Sequence, residues 1–367
     1  MIPGHTVSAN PSEPAAGAER GVSIVIPSWN GRTLLERFLP SVAGAAAAFE
    51  SACRQPAEIV VADDASDDDT CGWLATHHPR VRVESANQRA GFAPTANRGV
   101  RAARFPLAYV VNNDVALDGE ALPPLAAHFE TGIQSPRVFA VSSQVYNYDT
   151  GKLTGAGQLG EFRRGFVGIH RRYLVEQPAA VSERPWLTLF ATGGSSMFDR
   201  SAFLELGGFD ESFAPFGWED VELSLRAWKQ GFEVHYEPRS AVWHQFSSTI
   251  KPAYRSRYVQ AIYERNRLLA HWYHLDTIDE KSSHGAFLAL KLLGSIFNGH
   301  WELWRATAQA LARCSVIRNR RQEATTHCRV RLRAVLDRVA AELDRSGARL
   351  LDGESAPSRP WRGVRFG

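Results

Sequence analysis

The chain reads as an α/β protein: a mostly parallel sheet, helices on both faces, and a mainly helical C-terminal extension. Three observations predict this. Short, nearly continuous apolar runs alternate with helical periodicity up to Val111, as strands buried on both faces require. Those runs end in polar residues, Ser28-Trp29-Asn30, Asp63-Asp64 and Asn112-Asn113-Asp114, and ligands of such sheets bind beyond the carboxyl ends of the strands. After about residue 252, Arg, Trp and Leu dominate a helical pattern.

The elements follow in order. Residues 1–20, small, polar and Pro-containing, read as a disordered leader without the apolar core of a secretory signal. Val22–Ile26 is a strand ended by Pro27, and a helix is predicted from Arg32 to about Phe49. Glu58–Ala62 and Val81–Val83 are the next strands, Ala93–Arg104 a helix, and Leu107–Val111 a fourth strand. The stretch 143–190, rich in Gly, Tyr and Arg, predicts strands and long loops. Thr192–Phe198 reads as a buried strand and Arg200–Leu206 as a short helix stopped by Gly207-Gly208. Trp218–Gln230 is a helix, because Val221, Leu225 and Trp228 share a face and Gly231 ends it. Phe232–Tyr236 is a strand stopped by Pro238. The expected organisation is a leader over 1–20, an α/β domain over 21–250, a helical extension over 251–345 and a tail over 346–367.

Composition excludes several classes. With 367 residues, 44% hydrophobic and 22% charged, the chain can bury a large core without staples. Cys53, Cys71, Cys314 and Cys328 are far apart and form no CxxC, which argues against a structural zinc site and a disulfide framework and fits a cytoplasmic protein. The longest apolar stretch, near Gly285–Phe297, is interrupted by Lys291 and is too short to span a bilayer. The formal charge of +3 is uneven. Residues 301–367 hold fourteen arginines, no lysine and seven acids, a net +7, which leaves −4 for the remainder. Such a segment suits anionic lipid, a phosphorylated acceptor or nucleic acid, or it is a solvated helical face. Phe287, Leu290, Leu293 and Phe297 fall near one helical face. That face either lies on a membrane surface or packs on the rest of the chain or a partner.

Four polar groups suit one chemistry. Asn112-Asn113-Asp114 ends a strand, where oxygen ligands from one turn can hold Mg²⁺ or Mn²⁺ and leave room for two phosphates. Asp114 is the anionic ligand of that turn, and Asn112 would ligate weakly or through water. A polar turn after a strand is the plainer account. His244 follows Ala241-Val242-Trp243, and its imidazole can complete such a shell or be a satisfied structural group. Glu219-Asp220 opens a helix, where the dipole favours carboxylates. Asp220 also suits a general base, ionised at neutral pH, that takes the proton of an attacking hydroxyl. Asp63-Asp64-Ala65-Ser66-Asp67-Asp68 is an acidic turn that can meet a nucleotide or cap a helix. Gly155-Ala156-Gly157-Gln158-Leu159-Gly160 matches GxGxxG literally, but no apolar strand leads into it and Glu161-Phe162-Arg163-Arg164 opens a helix poorly. It is rejected as a dinucleotide fingerprint.

Together these residues resemble glycosyltransferase family 2, inverting enzymes of the GT-A fold, over about 21–250. Val22–Asn30 looks like that family's first strand, Asp63–Asp68 like its acidic turn, and Gly91-Phe92-Ala93 with Asn97-Arg98-Gly99 like its donor-side segment. Asn112–Val115 resembles its metal-binding triplet, with Asn112 in place of an aspartate. Gly207–Glu211 followed by Trp218–Leu223 and Arg226 is the most specific match. The resemblance implies Asp220 as base beside Glu219. It implies Asp114 and His244, with Asn112, on the cation. It implies Pro27, Asn30, Asp64, Gly91, Asn97, Asn112 and Asn113 around a nucleotide-sugar, UDP- or dTDP-linked and sometimes GDP-linked. Glu264–Leu269 resembles a segment of rhamnosyltransferase-like enzymes of bacterial surface polysaccharide synthesis. The implied acceptor is a glycan or lipid-linked glycan at the cytoplasmic face of a membrane, with peripheral contact through the basic C-terminal helices and no nucleic acid. Two alternatives stand beside this reading. A sugar-phosphate nucleotidyltransferase would need a glycine-rich basic loop where Ser28–Arg32 lies. A scaffold with a degenerate site would not need Asp114, Asp220 and His244.

Overall fold

A computed structural model describes residues 20–130, 136–176, 184–246, 255–299, 301–351 and 357–363. Its centre is a sheet. Strands β1 (Val22–Ser28), β2 (Ala57–Asp63), β3 (Arg82–Ser85) and β4 (Leu107–Val111) are parallel, in the order β4-β1-β2-β3. They are linked through helices α1 (Arg32–Cys53), α2 (Thr70–His77) and α3 (Phe92–Ala102). The apolar runs are strands for the expected reason: Val22, Ile24, Val25 and Ile26 are fully buried because helices cover both faces. α1 and α3 pack against β1 through Phe38 and Val42 on one helix and Ala96 and Val100 on the other. The register aligns the strand ends, with Ser28 opposite Asp63 and Asp63 opposite Ser85. Their polar residues therefore emerge along one edge.

Beyond β4 the sheet is mixed. Strand β5 (Val115–Leu117) follows the Asn112–Asp114 turn, and α4 (Leu122–Ala126) follows β5. Strand β6 (Val138–Asn147) leads into β7 (Leu153–Gly155), β8 (Gly157–Arg163), β9 (Phe166–Val175) and β10 (Trp186–Leu187). Strand β11 (Ser195–Asp199) runs antiparallel between β4 and β6. Helix α5 (Arg200–Glu205) follows and is capped by the Asp199 carboxylate, which accepts from Ala202 N. Helix α6 is Glu219–Lys229 and strand β12 is Glu233–His244. Gly157 and Gly160 of the GxGxxG sequence sit inside β8. A Cβ on Gly157 would lie 2.1 Å from the Tyr173 ring, so packing explains that residue.

Pro238 does not stop β12. The strand pairs with β6 from Glu233 to His244, and the register shifts between Glu237 and Ala241. Proline has no N–H for a ladder, and it is tolerated where the ladder is already irregular. The six further residues carry the strand to His244.

The C-terminal part contains α7 (Ser256–His274), α8 (Ile278–Asn298), α9 (Trp301–Leu311), α10 (Cys314–Thr326) and α11 (Leu332–Ala340). Thr277 and Glu280 form a reciprocal capping box at the start of α8. Strand β13 (Ala348–Leu351) pairs antiparallel with β9, which also pairs with β8. Residues 357–361 then cross the back of β12: Trp243 Nε1 donates to Arg359 O at 2.6 Å, and the Trp361 ring lies 4.8 Å from that of Trp243. Among the described residues, no helix is long and apolar enough to cross a membrane.

Candidate active site

The polar strand ends open into a cleft of about 1010 Å³. One wall is made by Pro27, Ser28, Asp64, Gly91 and Asn112–Asp114, the other by Gly193, Gly217–Val221, His244 and Tyr263.

Asp114 and His244 meet because β5 pairs antiparallel with β12. Val115 lies opposite His244, and Gln245 N donates to Asp114 O at 2.9 Å. His244 Nε2 is 3.0 Å from Asp114 Oδ1. Yet that buried oxygen has no hydrogen-bond partner, so the two groups are close without being aligned as donor and acceptor. Cis ligands of an octahedral cation, each at about 2.1 Å, sit about 3.0 Å apart. The pair therefore suits a divalent cation on the cleft surface. Among the described residues, no group of three or more His, Cys, Asp or Glu is placed to hold one, so remaining ligands would come from the substrate or water. Phe246 packs on His244, ring centroids 4.1 Å apart. Asn113 Nδ2 donates to Ser28 Oγ at 3.0 Å, which ties the turn to β1. Asn112 lines the cleft against Gly194, where a Cβ would lie 2.5 Å from the Asn112 amide nitrogen.

The opposite side is built by a reversal. Gly217 (φ +91°) and Trp218 (φ +72°) are both left-handed and turn the chain into α6. A Cβ on Gly217 would also lie 2.7 Å from the Tyr263 ring. Asn266, buried on α7, holds this loop by donating to Phe213 O, Phe216 O and Gly217 O at 2.7, 3.0 and 2.8 Å. Arg265 donates to Phe213 O and Ala214 O at 3.3 and 2.6 Å. The Glu264–Leu269 segment thus has a structural task, which is to hold the loop that leads to Glu219-Asp220.

Asp220 accepts from Gly193 N at 3.1 Å and from Val221 N at 2.8 Å. Burial lifts its pKa above the ordinary 3.8, and those backbone N–H groups pull the other way. Glu219 is buried, and its pKa is pushed up to about 8, first by burial and then by the Asp220 charge. Burial and the Asp220 charge thus favour a proton on Glu219, whereas the N–H groups of Gly193 and Val221 favour the carboxylate of Asp220. Tyr263 is pushed up to about 12 by burial and by these carboxylates, so it stays a neutral phenol in the cleft wall.

The remaining predicted residues divide. Pro27, Asp64 and Gly91 line the cleft. Asp64 is partly committed: its two oxygens accept from Ala90 N and Gly91 N, both at 2.8 Å. Gly91 (φ +94°) packs on Pro215, whose Cα a Cβ would approach to 2.9 Å. Asn30 and Asn97 are not brought to the cleft. Asn30 is exposed, and its Oδ1 accepts from Asp67 N at 2.9 Å. Asn97 is fully buried; its amide donates to Phe209 O at 2.8 Å and accepts from Phe209 N at 2.9 Å. Both pin loops, as short amide side chains do wherever backbone groups lack partners. Sequence reasoning missed Gly193, Tyr263 and the Arg89 guanidinium stacked 3.3 Å over the Trp29 ring at the cleft. The Gly193-Gly194 pair was the one local signal for any of them.

The profile of glycosyl transferase family 2 matches residues 23–207, and that of glycosyl transferase family group 2 matches 122–317. The chain belongs to glycosyl transferase family 2. Polypeptide N-acetylgalactosaminyltransferase 4 of Caenorhabditis elegans is 28% identical over 201 residues, 52% of this chain and 33% of that protein. Validoxylamine A glucosyltransferase of Streptomyces hygroscopicus subsp. jinggangensis is 26% identical over 238 residues, 58% of this chain and 52% of that protein. The family 2 chain thus spans about a third of the first relative and half of the second. Neither is a rhamnosyltransferase, and neither supports placement in that subgroup. A crystal structure of GalNAc-T7 with UDP, GalNAc and Mn²⁺ superposes with a TM-score of 0.62 at 17% identity, covering 90% of this chain and 58% of that one. The fold of this family 2 chain is accordingly GT-A.

Proposed function

We propose that this chain is an inverting, divalent-cation-dependent glycosyltransferase that moves a sugar from a nucleotide-sugar, UDP- or dTDP-linked, to a hydroxyl of a glycan or lipid-linked glycan. The observation that carries this reading is the link made by Gly193-Gly194. Gly193 N holds Asp220, while Gly194 O accepts from Asn112 N at 3.1 Å. Two adjacent residues so couple the base to the turn that ends in Asp114. The UDP and Mn²⁺ in the GalNAc-T7 crystals support a UDP donor and a cation.

Asp114 and His244 would hold the cation, which when bound would neutralise the diphosphate as it leaves. Asp220, the ionised member of its pair, takes the proton of the acceptor hydroxyl. Glu219, kept neutral, leaves a single negative charge beside the attacking oxygen. Tyr263 and Trp218 narrow the cleft and limit water. Assignment to bacterial surface polysaccharide synthesis rests on the Glu264–Leu269 likeness alone, and the structure gives that segment a bracing task.

Asp220→Asn tests the reading. Turnover of nucleotide-sugar should fall by roughly 10²–10⁴-fold, while stabilisation of the protein by nucleoside diphosphate and Mn²⁺ stays unchanged. Undiminished turnover in the variant would exclude Asp220 as base.

A further inference from the structure

A second pocket, of about 240 Å³, is lined by Glu161, Arg163, Arg164, Phe166, Gly168 and Arg267. The Arg267 guanidinium and the Lys291 ammonium each lie 4.6 Å from the Phe166 ring. Two cations thus lie over one aromatic ring, and Arg163 and Arg164 line the pocket beside it. The nearby acids are engaged: Glu161 pairs with Arg171 at 3.5 Å and Glu264 with Arg267 at 3.7 Å. Unbalanced positive charge around a concave pocket selects an anion, and arginine forks suit phosphate.

This pocket borders α8. Gly165 packs on the backbone of Ser283 and His284, and Lys291 follows Leu290. The outward face of α8 is apolar. Leu290, Leu293, Ile296 and Phe297 are exposed, Phe297 at 88%, whereas Leu288 and Ser295 face inward. Phe287 is half-buried against the core and does not share the exposed stripe. On α9, Trp301, Trp304 and Leu311 are exposed as well. Residues 301–322 carry five arginines and one acid, Glu302. Glu302 is engaged with Arg257 at 3.4 Å, and Arg257 follows Ser256 on the cleft rim.

We propose that the α8–α9 face docks on an anionic lipid bilayer and that the neighbouring pocket of Arg163, Arg164 and Arg267 takes a phosphate of that bilayer. An exposed helix face that joins Leu and Phe to Trp and Arg suits the boundary between acyl chains and headgroups. A second copy of this chain is a poorer occupant. A two-fold contact places the same patch against itself and would turn the exposed Arg305, next to Trp304 on α9, towards its own copy.

Co-sedimentation of the full chain with phosphatidylcholine vesicles, with and without phosphatidylglycerol, tests this. Binding should require phosphatidylglycerol and weaken with salt. The double variant Leu293→Asp, Phe297→Asp should lower partition at least about tenfold and keep the thermal response to nucleoside diphosphate. Arg163→Gln with Arg164→Gln should lower it roughly tenfold or more. Equal partition of native and variant chains overturns the proposal. So does a native dimer in sedimentation that the Asp variant dissolves. Stabilisation by inorganic phosphate that depends on Arg163 and Arg164, with no vesicle binding, assigns the pocket to a soluble phosphate and also overturns it. Vesicle binding without any nucleotide response overturns the glycosyltransferase reading and leaves the surface standing.

Discussion

Glu219→Gln isolates the electrostatic strain of the site. Glu219 is 7% exposed, and its Oε2 has no hydrogen-bond partner. Its pKa moves from 4.5 to about 8, chiefly through burial and then through Asp220. The unfolded chain loses this proton near 4.5, whereas the native chain keeps it to about 8. Between those values unfolding releases a proton. The contribution to stability is therefore full below 4.5, declines as pH rises, and is gone above about 8. A gap of about 3.5 pKa units corresponds to on the order of 5 kcal/mol. Glutamine keeps the shape and removes the titration. Urea unfolding at about pH 5 and about pH 8 should find the variant close to the native protein at the lower pH and several kcal/mol more stable at the higher. Parallel stability profiles, differing by less than about 1 kcal/mol at the higher pH, would refute the buried-proton argument.

Three further outcomes follow from the same geometry. His244→Ala should abolish the Mn²⁺-dependent part of the thermal shift given by nucleoside diphosphate, and an undiminished Mn²⁺ response would remove His244 from the cation site. Asn266→Ala removes the side-chain donor that Phe213 O, Phe216 O and Gly217 O share and should cost roughly 1–3 kcal/mol in urea unfolding; an unchanged stability would mean the loop holds itself. Trp361→Ala removes the ring packed on Trp243, one residue before His244. It should cost roughly 1–3 kcal/mol and weaken the Mn²⁺ response several-fold, whereas a stability loss with an unchanged Mn²⁺ response would show that the segment does not brace the cation site.

Much of the fold was legible because its signals are local. Val22–Ile26, Glu58–Ala62 and Leu107–Val111 are largely apolar on both faces, as the strands of a covered parallel sheet are. Trp218–Gln230 announced α6 through one apolar face and a terminal glycine. Phe232–Tyr236 was read short because proline usually ends a ladder, and nothing local shows that β6 and β12 shift register at that point. Asn30 was legible as a polar residue after a strand, and Asn97 through the family resemblance. Whether an amide meets a ligand or a backbone loop depends on what lies opposite it. Asn97 lies opposite Phe209, 112 residues away.

By itself the sequence determined the four parallel strands β1–β4, the order of the polar strand ends and the residue types available for the chemistry. Periodicity, turn residues and side-chain acidity are properties of neighbours along the chain. Tertiary structure alone decided which of those residues share a cleft and in what protonation state. The β5–β12 pairing sets His244 3.0 Å from Asp114. The Gly193 amide holds Asp220. Burial, not the helix dipole that favours ionised carboxylates, sets the charge of Glu219. Desolvation depends on what the rest of the chain packs around a group, and no stretch of neighbouring residues encodes that.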